Sequence, residues 1–345
     1  MATSNQRVGE YVLQERISGG TFGEVWKAQH HVWTDQIVAV KIPTDPRFLR
    51  NLQHEGAAIH GLQHPNIVRA IGFDPYAEVP YLAMEYVPGT SLRPLIQNRA
   101  LTIPDAVAVM RQVLAGLNHA HHTNVIHRDV KPENILIHER AFRDGFAAEG
   151  VVKVTDFGLG KASNTTAGSI ALSQSMDSPG AREIAGTLDY MSPEQRSGAN
   201  VDSRADLYAC GVVLYEMLTG ERPAGTDLPS DLNPATPRSL DEAFKRSYAR
   251  LDKRFTSAEE FIKALTPAGP PPLPGARPTI ARIGNALRQC PQCRQSIDPG
   301  DQFCMHCGIQ LVEHVRRCPQ CGAYPDGTDQ YCIFCGQALA ELSRA

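Results

Sequence analysis

Two kinds of hydrophobic spacing divide the chain. From Tyr11 to about residue 87, apolar positions alternate or run together in short blocks: YVLQERI and EVWKAQHH alternate around a glycine cluster, and IVAVKI (Ile37 to Ile42) is one continuous apolar run. Period-two alternation predicts half-buried strands, and an unbroken run of this length predicts a fully buried one. The one helical stretch expected here spans Arg47 to Leu62, with Leu49, Leu52, Ile59 and Leu62 on roughly one face. From Ser91 onward the spacing turns helical, as in Asp105 to His122, where Val109, Val113, Leu114 and Leu117 recur at helical intervals. LYACGVVLYEML (Leu207 to Leu218) reads as a buried helix of a soluble domain, because it carries Glu216 and falls short of the roughly 20 residues of a membrane span. A sheet lobe followed by a helical lobe, an α+β arrangement, is the expected fold.

The C-terminal part is patterned differently. Thr266 to Pro278, TPAGPPPLPGARP, offers almost nothing to bury and predicts a semi-extended linker. Beyond it, Cys290, Cys293, Cys304 and Cys307 recur as Cys318, Cys321, Cys332 and Cys335, each 28 residues later. This is a tandem duplication of one small unit. The expected organisation is therefore a first domain over 11–265, a linker over 266–288 and a duplicated tail over 289–338.

Composition narrows the function classes. Hydrophobic residues make up 42% and charged residues 21% of the 345, which excludes a wholly disordered chain. A formal net charge of −3 provides no global field toward nucleic acid or anionic lipid. The start, MATSNQRVGEYVLQ, lacks the apolar core of a secretory signal. Cytoplasm is then the expected compartment, where thiols stay reduced and paired cysteines bind metal rather than form disulfides.

The candidate chemistry lies in the first domain. ISGGTFGEV (Ile17 to Val25) is a glycine-rich turn whose backbone amides can approach a polyphosphate. Lys41 ends the apolar strand, a position costly to bury without an anion, and Glu55 follows fourteen residues later on the expected helix. Then come His127-Arg128-Asp129-Val130-Lys131-Pro132-Glu133-Asn134 and Asp156-Phe157-Gly158, each beside a short apolar strand. Two carboxylates and a carboxamide so placed can converge on one site for a divalent metal and a hydroxyl.

In this order the residues match the protein-kinase signature set. From Tyr11 to Leu265 the chain resembles the bacterial, eukaryotic-like (Hanks-type) Ser/Thr protein kinases, which implies a two-lobed kinase fold and γ-phosphate transfer from ATP to protein Ser/Thr hydroxyls. By that resemblance Ser18, Gly19, Gly20, Thr21, Phe22 and Gly23 cover the ATP phosphates, with Ser18 in the first glycine position. Ile17, Val25, Ala39 and Leu136 sandwich the adenine, Met84 is the gatekeeper, and backbone groups of Glu85 and Val87 bond the adenine edge. Lys41 holds the phosphates and Glu55 holds Lys41. Asp129 orients the acceptor hydroxyl, Lys131 bonds the transferring phosphate, Thr187 bridges toward both, and Asn134 and Asp156 bind magnesium or manganese. Glu194 with Arg254, and Asp206, are implied as scaffold.

The same resemblance bears on regulation. Arg128, directly before Asp129, is expected to await a phosphate on the activation segment, at one or more of Ser163, Thr165, Thr166, Ser169, Ser173, Ser175 and Ser178. Besides Ser18, two departures from the family pattern stand out. HERAFRDGFAAEG lengthens the connection between Asn134 and Asp156 and reads as a surface hairpin extension, and the chain from Pro223 to Arg254 is short. A pseudokinase scaffold is the rival reading, opposed by the presence of Lys41, Glu55, Asp129, Asn134 and Asp156.

The tail resembles a double zinc ribbon. Each repeat supplies Cys-x-x-Cys twice, and four thiolates on two tight turns can enclose zinc, so two structural zinc ions are expected, with pairing within or across repeats left open. Arg288 to Ala345 carries five basic and six acidic residues, which points to a protein-docking or regulatory role rather than nucleic-acid binding. His306 could substitute as a ligand. His119, His121 and His122 are expected to cap a helix end, and Cys210 to be plain core.

Overall fold

The computed structural model describes residues 2–20, 23–45, 48–157, 188–265, 290, 297, 301–304, 309–312, 315–322, 324–325, 330–332 and 335–339. The chain divides into two compact units, Met1–Pro271 and Pro272–Ala345. The expected linker lies outside the described residues.

The first unit opens with an antiparallel sheet of β1 (Arg7–Val8), β2 (Tyr11–Gly20), β3 (Gly23–His30), β4 (Ile37–Ile42), β5 (Ala70–Asp74) and β6 (Tyr81–Glu85), in the order β1-β2-β3-β4-β6-β5. The pattern of burial follows the sequence: β3 alternates, while Val38 to Ile42 of the continuous run are all buried. One face packs Leu13, Trp26, Ala28, Val38 and Val40 into an outer core. The other face carries Val25, Ala39 and Lys41, because Val25 sits directly across from Lys41 and Ala39 lies two residues earlier on the same strand.

Helix α1 spans Leu49–Ile59 and buries Leu52, Glu55, Gly56 and Ile59. It is shorter than the expected Arg47 to Leu62. His60 is extended and Gly61 takes φ +87°, so the chain leaves the helix there, although Leu62 still reaches the core. After β7 (Gly89–Ser91) and α2 (Leu92–Gln97), α3 runs from Ile103 to His122 and starts in a capping box of Thr102 and Asp105. Strands β8 (Ile135–His138) and β9 (Val152–Val154) pair antiparallel, with β7 beside β8. Their connection is a hairpin, as expected, but it is not confined to the surface. It forms a helical turn, α4 (Ala141–Asp144), with Ala141 buried, and Gln112 of α3 donates to the Phe146 carbonyl at 2.7 Å.

The helical lobe is completed by α5 (Pro193–Arg196), α6 (Arg204–Thr219), α7 (Pro229–Leu232), α8 (Arg238–Ser247) and α9 (Ala258–Leu265). Ala205 to Thr219 of α6 are all buried, as the apolar run predicted, and α6 shares one core with α3. Among the described residues, no helix is long and apolar enough to cross a membrane.

In the second unit the 28-residue repeat is repeated in hydrogen bonding. Cys304 N bonds Ile309 O and Cys332 N bonds Gln337 O, each at 2.8 Å. Leu311 N to Gln302 O and Leu339 N to Gln330 O correspond in the same way, as do the bridges Phe303–Gln310 and Tyr331–Ala338.

Candidate active site and cysteine centre

The inner sheet face delivers Lys41 to two carboxylates. Its Nζ donates to both oxygens of Glu55, at 3.0 and 2.8 Å, and to Asp156 Oδ1 at 2.7 Å. Burial disfavours the charge on the ammonium, but Asp156 and Glu55 outweigh it and raise the Lys41 pKa above its ordinary value. Burial also opposes the charge on Asp156, and there Lys41 wins and holds the carboxyl below its usual range. Glu55, fully buried and beside a second carboxylate, is pushed up to about 8 despite Lys41.

The His127–Asn134 loop is knitted from within. Asp129 N donates to His127 Nδ1 at 3.2 Å, so Nε2 carries the proton and donates to Thr155 O at 2.8 Å. Asn134 Nδ2 donates to Asp129 O at 2.9 Å and to its carboxylate at 3.1 Å, and Lys131 Nζ lies 3.0 Å from the same Oδ2. Arg128 and Asp156 both adopt left-handed backbone, φ +68° and +64°, which side-chain-bearing residues hold only when their surroundings impose it. The constraint on Arg128 is visible. Asp206, buried on α6, accepts from His127 N at 2.9 Å, Arg128 N at 2.7 Å and His121 Nε2 at 2.7 Å. Phe157 is buried against the His127 ring, with centroids 4.5 Å apart.

The remaining expected residues distribute as follows. Val25 and Ala39 flank Lys41 on the sheet, Leu136 is half-buried on β8, and Ile17 sits at a register shift of β2, half-exposed. Ser18, Gly19 and Gly20 pair with Val25, Glu24 and Gly23 across the hairpin, whose tip, Thr21 and Phe22, lies outside the described residues. A Cβ on Gly23 would meet Ile42 O at 2.7 Å, so glycine fits there where a side chain would crowd the neighbouring strand. Met84 is buried and pairs with Ala39, while Glu85 and Val87 follow at the strand end. Gly158, Thr187 and the seven candidate phosphorylation sites lie outside the described residues. Glu194 and Arg254 form a buried two-pronged pair at 2.5 and 2.9 Å. Arg128 Nε is buried with no hydrogen-bond partner among the described residues.

This chemistry fits a nucleotide and a divalent cation. Asn134 has its Nδ2 committed to Asp129, so its carbonyl oxygen is what remains for a cation, beside the ionised Asp156. Several supporting residues were not found from sequence. His121 braces Asp206 instead of capping its helix, whereas His122 does bond a last-turn carbonyl, Asn118 O. Gln195 Nε2 donates to Arg128 O at 2.8 Å, and Lys153 pairs with the Glu85 carboxylate at 3.0 Å. Arg93 joins Glu133, Glu216 and Tyr190 at 2.5 to 2.7 Å. Each joins residues far apart in sequence and has no local signature.

In the second unit, Cys318, Cys321, Cys332 and Cys335 converge, with all four sulfurs within 4.8 Å of one another. Cys318 Sγ lies 3.6 Å from Cys335 Sγ, and Cys321 Sγ lies 3.5 Å from Cys332 Sγ. A regular tetrahedron with zinc–sulfur bonds of about 2.3 Å puts sulfurs about 3.8 Å apart, so the four fit one zinc ion. Pairing in this repeat is internal, which resolves for these four an alternative the sequence left open. Backbone amides of Cys321 and Gln320 hold the Cys318 thiol down, to about 6, which favours the ligating thiolate. Cys290 and Cys304 are buried, and Cys293, Cys307 and His306 lie outside the described residues. Cys210 is core, its thiol pushed up by burial.

Comparison with known proteins agrees with both units. Residues 11–286 match the protein kinase domain family, and residues 290–336 match the double zinc ribbon. The chain is 31% identical to a probable serine/threonine-protein kinase PknB of Lactococcus lactis over 73% of its own length and 41% of that protein. It is 36% identical to the Bifidobacterium longum protein of the same name, over 73% of this chain and 39% of that one. Against the serine/threonine-protein kinase pkn3 of Myxococcus xanthus the identity is 34%, over 74% and 46%. The chain thus spans less than half the length of these relatives. With the match covering most of its residues, the chain belongs to the protein kinase domain family, and a double zinc ribbon follows that domain.

Proposed function

We propose that this chain transfers the γ-phosphate of ATP to serine and threonine hydroxyls of protein substrates. The observation that carries the reading is the buried bridge from Lys41 to Glu55 and Asp156, set beside the Asp129–Lys131–Asn134 cluster. In this reading Lys41 neutralises phosphate charge and Glu55 positions it. Asp129 orients the acceptor hydroxyl and takes up its proton, while Lys131 compensates charge on the moving phosphoryl group. Magnesium, held by Asn134 and Asp156, would supply charge neutralisation between the phosphates. Ile17, Val25, Ala39 and Leu136 would line the base, with Glu85 and Val87 at its edge, Ser18 to Gly23 over the phosphates, and Thr187 bridging toward Asp129. The pseudokinase reading is disfavoured, since every charged group the transfer needs is present.

The proposed organisation is a kinase domain over 11–265, a linker over 266–288 and ribbons over 289–338, with two zinc ions and a docking or regulatory role for the ribbons. Thiolate ligation suits the reducing cytoplasm. Arg128, with its unpartnered buried Nε, supports a phosphorylated activation segment as its partner. The test of the main reading is transfer of radiolabelled γ-phosphate to a protein acceptor by the wild type and by Asp129→Asn. Label on serine and threonine that is lost in the variant is expected; equal labelling by both discards the proposal.

A further inference from the structure

The hairpin of β2 and β3 carries a buried carboxylate that the nucleotide reading does not use. Glu24 lies on the sheet face turned away from Lys41, on the same side as Trp26 two residues later. Its side chain is only 6% exposed and has two partners. Trp26 Nε1 donates to Oε2 at 3.2 Å, and the half-exposed Arg16 guanidinium lies 3.4 Å from Oε1. A carboxylate this buried is costly without a cation beside it, so Arg16 is what lets Glu24 stay charged there.

The register shows what this ion pair spans. Arg16 sits across from Trp26 and Gly19 across from Glu24, so all four share the outer face. Between them the ladder shifts, and Ile17 has no partner across the hairpin. To reach Glu24, the Arg16 side chain passes over Gly19: a Cβ built there would fall 1.7 Å from Arg16 Nη2. Gly19 is therefore the residue that leaves room for the crossing, from the side of the sheet away from Lys41.

Beyond the shift come Ser18, Gly19 and Gly20, and the two glycines restrain their own backbone poorly. The ion pair is anchored on β2 before the shift and on β3 after it, so it fastens this end where the backbone ladder is interrupted. On the other face of the same strands, Val25 pairs with Ser18 on one side and with Lys41 on the other. We infer that Arg16 is a positioning residue for ATP: through Glu24 it keeps Ser18 to Gly20 in register with Val25 and Lys41. The inference rests on the reading that this hairpin covers the ATP phosphates. A turn already held in place need not be ordered by the nucleotide, so the pair acts on ATP affinity and not on the transfer step.

The test reads KM for ATP, kcat and thermal melting on one preparation of the full chain. Arg16→Met should raise KM about fivefold, the upper range for an ion pair with one exposed partner, and leave kcat within about twofold. Gly19→Ala should act alike by displacing the guanidinium, since its added methyl lies on the outer face. Both work through one ion pair, so the double variant should be no worse than the more affected single, and Arg16→Lys should recover most of the affinity. Should Arg16→Met fail to fold, Gly19→Ala, which keeps every charge, decides alone. An unchanged KM in the folded single variants, effects that multiply in the double, or a loss confined to kcat would each overturn the inference. A wild type with no magnesium-dependent affinity for ATP would instead overturn the underlying reading, and this inference with it.

Discussion

Replacing Asp206 with asparagine tests how the fold holds the candidate catalytic loop. The carboxylate accepts two backbone N–H groups, of His127 and Arg128, and the His121 imidazole. The amide of Asp206→Asn can still accept one backbone N–H, and His121 can turn acceptor by changing tautomer. The other backbone N–H then faces a donor. Losing a charge-assisted bond costs about 1.5–3 kcal/mol, and a buried donor without a partner about 1–3 more, so about 3–5 kcal/mol is expected. In a domain of this size each kcal/mol moves the melting point by about 2–4 °C, giving a fall of about 6–20 °C. The left-handed Arg128 is released as well, and a displacement of about 1 Å at a reacting group costs about a hundredfold in rate. Kinase activity and thermal melting should be read on the same preparation: kcat falling about a hundredfold with KM for ATP nearly unchanged supports the argument. A kcat within about threefold of wild type, on folded protein, refutes it. If Asp206→Asn does not fold, His121→Ala, which leaves both backbone bonds intact, should lose only about 1.5–3 kcal/mol. Acid stability supplies a further readout. Burial would raise the Asp206 carboxyl, but His121 and the backbone donors hold it below its usual value. Its contribution is therefore present above the ordinary aspartate pKa of about 3.9 and lost as pH falls through the lower folded value, and the variant should lack that part of the acid limb.

Three further outcomes follow from the same contacts. Arg254→Leu removes the two charge-assisted bonds on the half-buried Glu194 carboxylate and should cost about 3 kcal/mol in denaturant unfolding, while the double change with Glu194→Leu should be milder; a double variant no more stable than the single contradicts the pairing. Lys41→Met should lower kcat by about a hundredfold or more, and because Lys41 is what depresses Asp156, the acid limb of ATP binding should move to higher pH; an unmoved limb counts against the bridge. Cys332→Ser should lower the zinc content of the chain by one ion in elemental analysis, and a chelator should unfold the tail without changing melting of the first unit; unchanged metal content removes the four-thiolate centre.

What the sequence made legible was local or periodic. The buried run Ile37 to Ile42 and the helix around Val109 and Leu117 announce themselves by spacing, and Lys41, Asp129, Asn134 and Asp156 by their place beside short apolar strands. The end of α1 was missed because leucine spacing continues to Leu62 although Gly61 breaks the backbone first. His121 was misread as a cap because its partner Asp206 lies 85 residues away. Gln195 holds a carbonyl 67 residues away and was equally invisible. The loop after β8 looked superficial because nothing in HERAFRDGFAAEG shows that Gln112 anchors Phe146. The cysteines showed their repeat, but which of them share a centre is a matter of distance between sulfurs.

The central claim is that Lys41, Asp129, Asn134 and Asp156 form one pocket for ATP and its metal, and calorimetric titration of the full chain with ATP tests it directly. The account predicts binding that requires magnesium, is weakened but measurable in Lys41→Met, and is lost in Asp156→Asn. Binding of equal strength without magnesium, or untouched by either substitution, would contradict it.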